Sequence, residues 1–398
     1  MSEKKDKKIL WYSLAFMAFS TVWGFGNVIN GFSEYNGLKA IISWIIIFAI
    51  YFVPYALMVG ELGSAFKDFG GGVSSWINET ISPKIAYYAG WTYWVVHMPY
   101  ISQKPSGFMI ATSWAIFQDK RISSIDPKLL QLGCLVIFII GLYIASKGLN
   151  PLKKLATLAG TSMFVMSILF ILLMIAAPAI TDAHLNSIDW SLKTFMPTFD
   201  MKFFTSLSIL VFAVGGCEKI SPYVNEMKDP EKGFSKGMIT LAIMVGVCAI
   251  LGTISLGMMF DSNNVPKDLM TNGHKLIFVI VSILIIVPAL GIKDVDALVK
   301  WLVKLNAVCM PLRYLWVFAA YIALKKAGEK FKSEYYFVKN RTLGIIIGAW
   351  CFAFTAFACI GGMYSTDTFQ LAVNIITPFV LLGLGFIMPY FARKNNTQ

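Results

Sequence analysis

The chain has 398 residues, of which 57% are hydrophobic and only 14% are charged. A soluble domain carries about 25% charged residues, so this composition excludes an ordinary water-soluble globular protein. The 34 lysines and arginines outnumber the 22 aspartates and glutamates, but the basic residues concentrate in short stretches between apolar runs. Cations in such places orient membrane helices, and this pattern argues against nucleic acid binding.

Metal, disulfide and catalytic chemistry are not expected. Six cysteines are scattered, mostly within apolar segments and without a CxxC pair, and the chain has three histidines. Structural zinc sites and disulfide frameworks need closely spaced ligands of these types. We therefore predict no metal, no cofactor and no enzyme, with a membrane-embedded enzyme as the weakest alternative.

Apolar runs long enough to cross a bilayer, about 20 residues each, recur along the chain. The first run follows a polar stretch and lacks a clear small-residue cleavage site, so we interpret it as a permanent helix. The sequence predicts an all-α, polytopic membrane helix bundle in a single domain over residues 1–398. Its eleven predicted helices are 10–33, 39–65, 86–117, 129–146, 155–179, 203–225, 237–260, 275–292, 301–324, 343–363 and 369–391.

Lysines predict the orientation of the bundle. The lysine-rich residues 4–8 indicate a cytoplasmic N-terminus. The basic loops 147–154 and 218–237 fall on the same side when crossings are counted, and the second loop includes Lys219. Loop 118–128 is also basic although it should be external, and it violates the rule.

The count of crossings fails in the second half of the chain. Helix 237–260 should end outside, whereas segment 325–341 carries the strongest cytoplasmic signal. An odd number of crossings should separate them, yet the sequence shows two. Either segment 275–292 is re-entrant, or one spanning helix is missing.

Two of the predicted helices carry glycine clusters near mid-membrane depth. Residues 24–27 (GFGN) lie near the centre of helix 10–33, and Gly215 and Gly216 lie near the centre of helix 203–225. Glycine lowers the cost of non-helical backbone, whose freed groups are tolerated in hydrocarbon only where they line a cavity or meet a partner. The two helices hold corresponding positions in two five-helix halves, which predicts a transporter's midplane site. Close helix packing through small residues is the alternative.

Two cations lie deep in apolar segments. Lys104 is well inside helix 86–117, and Arg313 is in the middle of helix 301–324. A charge at the membrane centre costs about 2.5–3.5 kcal/mol on insertion scales, so it usually faces a cavity or a partner. We predict a functional role for both, Lys104 as a counter-charge for an acidic substrate or as a surrogate for a coupling cation, and Arg313 as a bidentate carboxylate ligand, which favours an acidic substrate. A structural ion pair is the alternative for each.

Other polar and aromatic residues have a functional and a structural interpretation. Glu218 follows the second glycine cluster and either fixes that break or contacts substrate. His97 makes either a packing hydrogen bond or a functional contact. Glu61 lies near the cytoplasmic end of its helix, where pairing with a loop lysine is the simplest explanation. Phe25 and Phe212 flank the glycine clusters and either wall a pocket or belong to the core.

Five motifs, in order and at matching spacing, carry a resemblance to a known family. They are residues 24–26 (GFG), 61–66 (ELGSAF), 70–76 (GGGVSSW), 212–218 (FAVGGCE) and 225–230 (NEMKDP). At these positions the chain resembles the amino acid–polyamine–organocation superfamily of transporters. It is most similar to the branch that contains glutamate/γ-aminobutyrate antiporters.

The resemblance implies a LeuT-like fold with an inverted five-helix repeat and broken helices 1 and 6. The first repeat would span about 10–179, the second, incomplete repeat about 203–324, and two additional helices 343–391. Backbone N–H groups at the first break would hold a substrate carboxylate, and carbonyls at the second would hold its ammonium, in agreement with the helix dipoles. The predicted substrate-binding residues are Gly24, Phe25, Gly26, Asn27, Phe212, Ala213, Val214, Gly215, Lys104 and Arg313, with Gly216 and Glu218 structural at the break.

One departure from the family is expected. Family members usually have twelve helices, and the eighth is absent here between about residues 268 and 275, which would explain the failed count of crossings. The implied function is secondary active transport of an amino acid through the plasma membrane, by exchange or proton coupling, and the resemblance suggests glutamate or γ-aminobutyrate as the substrate. The alternative is a deletion product or a membrane partner subunit that keeps the fold without transporting.

Overall fold

A computed structural model gives the architecture of the chain. The structure describes residues 9–69, 72–117, 125–146, 149–180, 185–262, 265 and 295–395. Every regular element in those ranges is helical, apart from one isolated parallel bridge between Ile9 and Met227. The predicted all-α class is confirmed.

Seventeen α-helices are named here in chain order within the described residues. The first nine are α1 (Trp11–Val22), α2 (Phe25–Glu34), α3 (Ala40–Ile47), α4 (Val53–Ala65), α5 (Val73–Thr80), α6 (Pro83–Val95), α7 (His97–Phe117), α8 (Pro127–Ser146) and α9 (Leu149–Ile180). The others are α10 (Leu192–Phe195), α11 (Met201–Thr205), α12 (Leu207–Ala213), α13 (Pro230–Met259), α14 (Val295–Cys309), α15 (Tyr314–Ala327), α16 (Arg341–Met363) and α17 (Thr368–Asn395).

The boundaries differ from the predicted ones at several points. The predicted helix 86–117 is interrupted at Val96 between α6 and α7, and α9 begins inside the predicted loop 147–154. Six helical spans in the described part of the chain are long and apolar enough to cross a membrane, and the bent pair α1–α2 makes a seventh. The predicted segment 275–292 and the predicted gap before it lie outside the described residues. The count of eleven therefore stays a prediction.

Large apolar side chains are exposed along α8, α9, α16 and α17. Leu172 is 57% exposed, and Ile360 and Phe379 are each 68% exposed. Extended apolar surfaces of this kind are rare on soluble proteins and are the normal lipid-facing surface of a membrane bundle. These four helices therefore present apolar faces on the outside of the bundle, and most of the buried polar residues lie on other elements.

Side-chain caps set where several helices begin. Ser82 accepts a hydrogen bond from a first-turn N–H of α6, and Pro83 occupies the first helical position, where its missing N–H costs nothing. Asp229 and Pro230 start α13 in the same way, and Asn340 caps α16. These caps determine the first residues of α6, α13 and α16.

The centre of the bundle is built where α1 and α4 both pack against α13. A 3-10 segment, Cys217–Glu226, follows α12 and packs against α1 and α4. A second 3-10 segment, Met310–Arg313, precedes α15, which packs on α4 and α5. The first irregular segment therefore brings the middle of the chain next to its first helix, and the second leads into α15, which reaches α4.

A buried ion pair joins α4 to the end of α15. The Nζ of Lys325 lies 2.5 Å from Oε1 of Glu61, and both side chains are buried. The other Glu61 oxygen accepts hydrogen bonds from the Tyr321 hydroxyl at 3.1 Å and the Phe337 N–H at 3.0 Å. The expected pairing of Glu61 with a lysine is confirmed, although Lys325 lies in the last turn of a helix and not in a loop.

Removing one partner of this pair should destabilise the protein more than removing both. Glu61→Gln alone leaves the Lys325 ammonium buried without a counter-charge, which we expect to cost about 3–5 kcal/mol. The double variant Glu61→Gln/Lys325→Met should recover much of that loss. The measurement is thermal unfolding of the purified protein in detergent. Lys67→Met is the control, because the half-exposed pair of Lys67 with Glu231 should contribute about 0–1 kcal/mol. Additive losses in the double variant would contradict the expectation.

Candidate functional site

The first helix is broken as the sequence predicted. The helix α1 ends at Val22, and α2 begins at Phe25 with its axis bent by 44°. Gly24 is the N-cap of α2 and supplies no side-chain cap. The Asn27 N–H bonds back to the Gly24 carbonyl at 2.8 Å, whereas the N–H groups of Phe25 and Gly26 donate to none of the described residues. Uncapped N–H groups at a helix start, with the positive end of its dipole, favour an anion.

The second break has a steric cause at each glycine. The helix α12 ends at Ala213, and Gly216 adopts φ +118°, a left-handed conformation that side-chain-bearing residues avoid. A Cβ on Gly215 would lie 2.0 Å from the hydroxyl oxygen of Tyr314. The carbonyls of Val214 and Gly215 accept no hydrogen bond from the described residues. The end of α12 is therefore followed by two backbone carbonyls that have no hydrogen-bond donor among the described residues.

The two breaks are bonded to each other. The side-chain amide of Asn27 donates to the Ala213 carbonyl at 3.3 Å, and the Thr21 hydroxyl donates to the Gly216 carbonyl at 3.1 Å. Gly24, Gly26 and Asn27 remain partly exposed although the residues around them are buried. The released donors thus lie on a partly exposed segment that is bonded to the segment carrying the released acceptors, where Val214 and Gly215 are buried.

Arg313 is buried beside the second break in a polar network. Its Nε lies 3.4 Å from Oε1 of Glu218, and both side chains are almost fully buried. Its Nη2 donates to the Tyr314 hydroxyl at 3.1 Å. The other oxygen of Glu218 accepts a hydrogen bond from the Tyr55 hydroxyl, to which the Gly216 N–H donates at 3.4 Å. The network therefore reaches the broken backbone through Tyr55 and matches one buried cation with one buried anion.

His97 completes the contacts of Arg313. Its Nε2 lies 2.6 Å from Nη1 of Arg313, and its Nδ1 contacts the Tyr93 carbonyl. A guanidinium only donates and a carbonyl only accepts, so Nδ1 carries the proton and Nε2 accepts. His97 is therefore neutral in this arrangement and adds no charge to the Arg313–Glu218 pair.

Two lysines lie over one aromatic ring close to this network. The Nζ of Lys104 is 4.4 Å from the ring centroid of Tyr100, and the Nζ of Lys219 is 5.4 Å from the same centroid. Both side chains are half-buried, and neither makes an ion pair or a hydrogen bond with the part of the chain that the structure describes. The Tyr100 ring also contacts Phe212, 6.2 Å away between centroids, in the last turn before the second break.

The sequence placed Lys219 in the overlap of predicted helix 203–225 and predicted loop 218–237, and the loop assignment is wrong. Lys219 lies within a helical span, Met201–Glu226, three residues after Gly216. The predicted loop 218–237 is replaced by the 3-10 segment and by the start of α13 at Pro230. The available signal was the position of Lys219 three residues after Gly216 and inside the predicted helix 203–225.

Some of the predicted substrate-binding residues have structural contacts instead. Phe25 is 4% exposed and packs on Phe170 at 4.3 Å between ring centroids, which favours the core interpretation of its side chain. Phe212 stays half-buried beside Tyr100. Arg313 has the structural ion pair that was its alternative, with Glu218 as the partner.

Comparison with known proteins agrees with this geometry. The model of the amino acid permease family matches residues 9–270. The chain belongs to that family. The permease is thereby a member of the amino acid–polyamine–organocation superfamily, and it is a transporter and not an enzyme.

Three relatives show how far the similarity extends. An aspartate/glutamate permease of Lactococcus lactis subsp. cremoris (strain MG1363) is 44% identical, with 98% of this chain and 97% of the relative covered. An inner membrane transporter of Salmonella typhimurium (strain LT2) is 23% identical over 98% of this chain and 83% of its own. A glutamate/gamma-aminobutyrate antiporter of Lactococcus lactis subsp. lactis (strain IL1403) is 22% identical over 88% and 69%.

The alignment with the aspartate/glutamate permease runs over 474 positions, which exceeds the 398 residues of this permease. Stretches of that relative therefore have no counterpart here. The alignment agrees with a missing segment, while its placement at the eighth helix stays a prediction.

Replacing Gly215 with alanine should disturb the second break and reduce transport. Gly215→Ala places a Cβ against the Tyr314 ring and hydroxyl, and overpacking of this kind costs about 1–3 kcal/mol in a tight core. We expect amino acid counterflow into proteoliposomes to fall at least about tenfold. Gly383→Ala is the matched control, since nothing lies within 4 Å of its added Cβ. Wild-type flux in a monodisperse Gly215→Ala preparation would contradict the role of this break.

Proposed function

We propose that this transporter exchanges acidic amino acids, aspartate and glutamate, by alternating access around the two broken helices. The observation that carries the proposal is that backbone donors at one break and backbone acceptors at the other both lack hydrogen-bond partners among the described residues. The N–H groups of Phe25 and Gly26 and the carbonyls of Val214 and Gly215 have no partner among the described residues, and the breaks they belong to are bonded to each other.

This set of groups suits the two ends of an amino acid. The substrate α-carboxylate would accept from the N–H groups at the start of α2, where the helix dipole is positive. The ammonium would donate to the carbonyls of Val214 and Gly215. Asn27 and Ala213, predicted as direct ligands, are bonded to each other instead, so they would shape the seat and hold the two breaks together.

The charge near the breaks supports an acidic substrate. Arg313, Lys104 and Lys219 supply three cations, whereas Glu218 is the one carboxylate in contact with them in the described part of the chain. An excess of positive charge in a low-dielectric setting favours a ligand with net negative charge. The relative that is 44% identical is named an aspartate/glutamate permease, which points the same way. A net-neutral substrate such as γ-aminobutyrate would leave the excess uncompensated.

The surrounding architecture is part of the proposal. We place the permease in the cell membrane with a cytoplasmic N-terminus, and we assign its helices to the inverted five-helix repeat of LeuT-like transporters. Exchange requires no coupling ion, and no group of three or more His, Cys, Asp or Glu in the described residues could hold a metal ion.

A second candidate function follows from the length of the chain. The relative that is 44% identical has stretches without a counterpart here, and loss of a buttressing helix could leave a permease fold that does not transport. Such a chain would act as a partner subunit or would be a deletion product.

Counterflow in proteoliposomes separates these functions. Vesicles preloaded with unlabelled aspartate or glutamate should accumulate labelled aspartate and glutamate, because exchange uses the same site in both directions. Vesicles preloaded with leucine or γ-aminobutyrate should not. Flux of neutral amino acids alone would contradict the acidic substrate class. An absence of all flux, from protein that is monodisperse in detergent, would favour the non-transporting chain.

A further inference from the structure

Lys219 and Lys104 come from distant parts of the chain and meet over one ring. Lys104 is on α7, and Lys219 is in the 3-10 segment that follows the second break. Their Nζ atoms lie 4.4 and 5.4 Å from the Tyr100 centroid. An aromatic face attracts a cation, but it does not neutralise one. The fold therefore gathers two positive charges in a site that offers only partial compensation.

Glu218, the nearby carboxylate, already has partners for both of its oxygens. One oxygen of Glu218 lies against Arg313, and the other accepts from the Tyr55 hydroxyl. His97 is neutral, because its ring bonds the Tyr93 carbonyl and the Arg313 guanidinium. The Arg313–Glu218 pair is thus balanced by itself, whereas the two lysines have no carboxylate partner among the described residues.

The lysine pair adjoins the second break. Tyr100 packs on Phe212, two positions before the released carbonyl of Val214, and Lys219 follows Gly215 by four positions. A ligand whose ammonium meets those carbonyls would therefore lie beside the segment that carries Phe212 and Lys219, and both of these residues contact the ring. A carboxylate there would accept hydrogen bonds from one or both ammonium groups, which are stronger than those between neutral groups.

We infer that Lys219 and Lys104, held over the Tyr100 ring, bind the side-chain carboxylate of an acidic amino acid and select it over the amide. Arg313 acts as a positioning residue that holds Glu218 and the break. This assignment rests on the proposed transport of acidic amino acids and names the residues that decide it.

The test compares aspartate with asparagine as competitors of labelled glutamate uptake in proteoliposomes. In the wild type, aspartate should compete far better than asparagine. Lys219→Gln should reduce the aspartate-to-asparagine preference at least about tenfold, the effect of losing one charged hydrogen bond. Lys219→Arg should retain the preference, and Lys104→Gln should reduce it. The double variant should lose less than the product of the two single effects, because both groups bind one carboxylate. Lys193→Gln, at an exposed lysine, is the control.

The outcomes separate this inference from the transport proposal. A wild type that moves no acidic amino acid contradicts the proposed function itself. A wild type that prefers aspartate, with an unchanged preference in Lys219→Gln, overturns the lysine assignment and leaves the proposed function standing. If Lys219→Gln shows no flux, the thermal shift of the purified variant with aspartate and with asparagine decides. A shift by aspartate that matches the wild type also overturns the assignment.

Discussion

Backbone N–H and C=O groups inside a bilayer find no water, so each must be paired within the protein or must line a cavity. This constraint makes a broken helix in a membrane costly unless the break has a use. Here the broken stretches bond each other through Asn27 and Thr21, and among the described residues they still leave N–H donors of one break and carbonyl acceptors of the other without partners. The bonds between the two breaks hold them together, while other backbone groups at the breaks have no hydrogen-bond partner among the described residues. An amino acid, with an anion and a cation at one carbon, has the groups that would pair with them.

The buried network around Arg313 keeps this arrangement in place. Removing one member of a buried ion pair typically costs several kcal/mol, about 3–5, because the other charge is stranded. Arg313, Glu218 and Tyr55 therefore depend on one another, and through Tyr55 they hold the Gly216 N–H. The same rule applies to Lys104 and Lys219: within the described residues neither half-buried ammonium has a carboxylate partner, and a ligand carboxylate would supply that counter-charge.

The sequence predicted the features that follow from local chemistry. Glycine clusters at mid-membrane depth located both breaks, since non-helical backbone there needs residues without a Cβ. The buried partner of Arg313 could not be predicted, because Glu218 is far away in the chain and only tertiary packing brings the two together. The end of predicted helix 203–225 overlapped predicted loop 218–237 at Lys219, because hydropathy cannot distinguish a loop from a 3-10 segment that continues inside the protein. Tyr55 and Tyr100 gave no signal, as aromatic residues in membrane helices usually belong to the core.

The most direct test is an experimental structure of the permease with aspartate bound. The α-carboxylate should lie within hydrogen-bond distance, about 3 Å, of the N–H groups of Phe25 and Gly26. The ammonium should lie at the carbonyls of Val214 and Gly215. Aspartate bound elsewhere, or residues 22–27 forming a continuous helix without a break in the bound state, would contradict the role given to the released backbone groups.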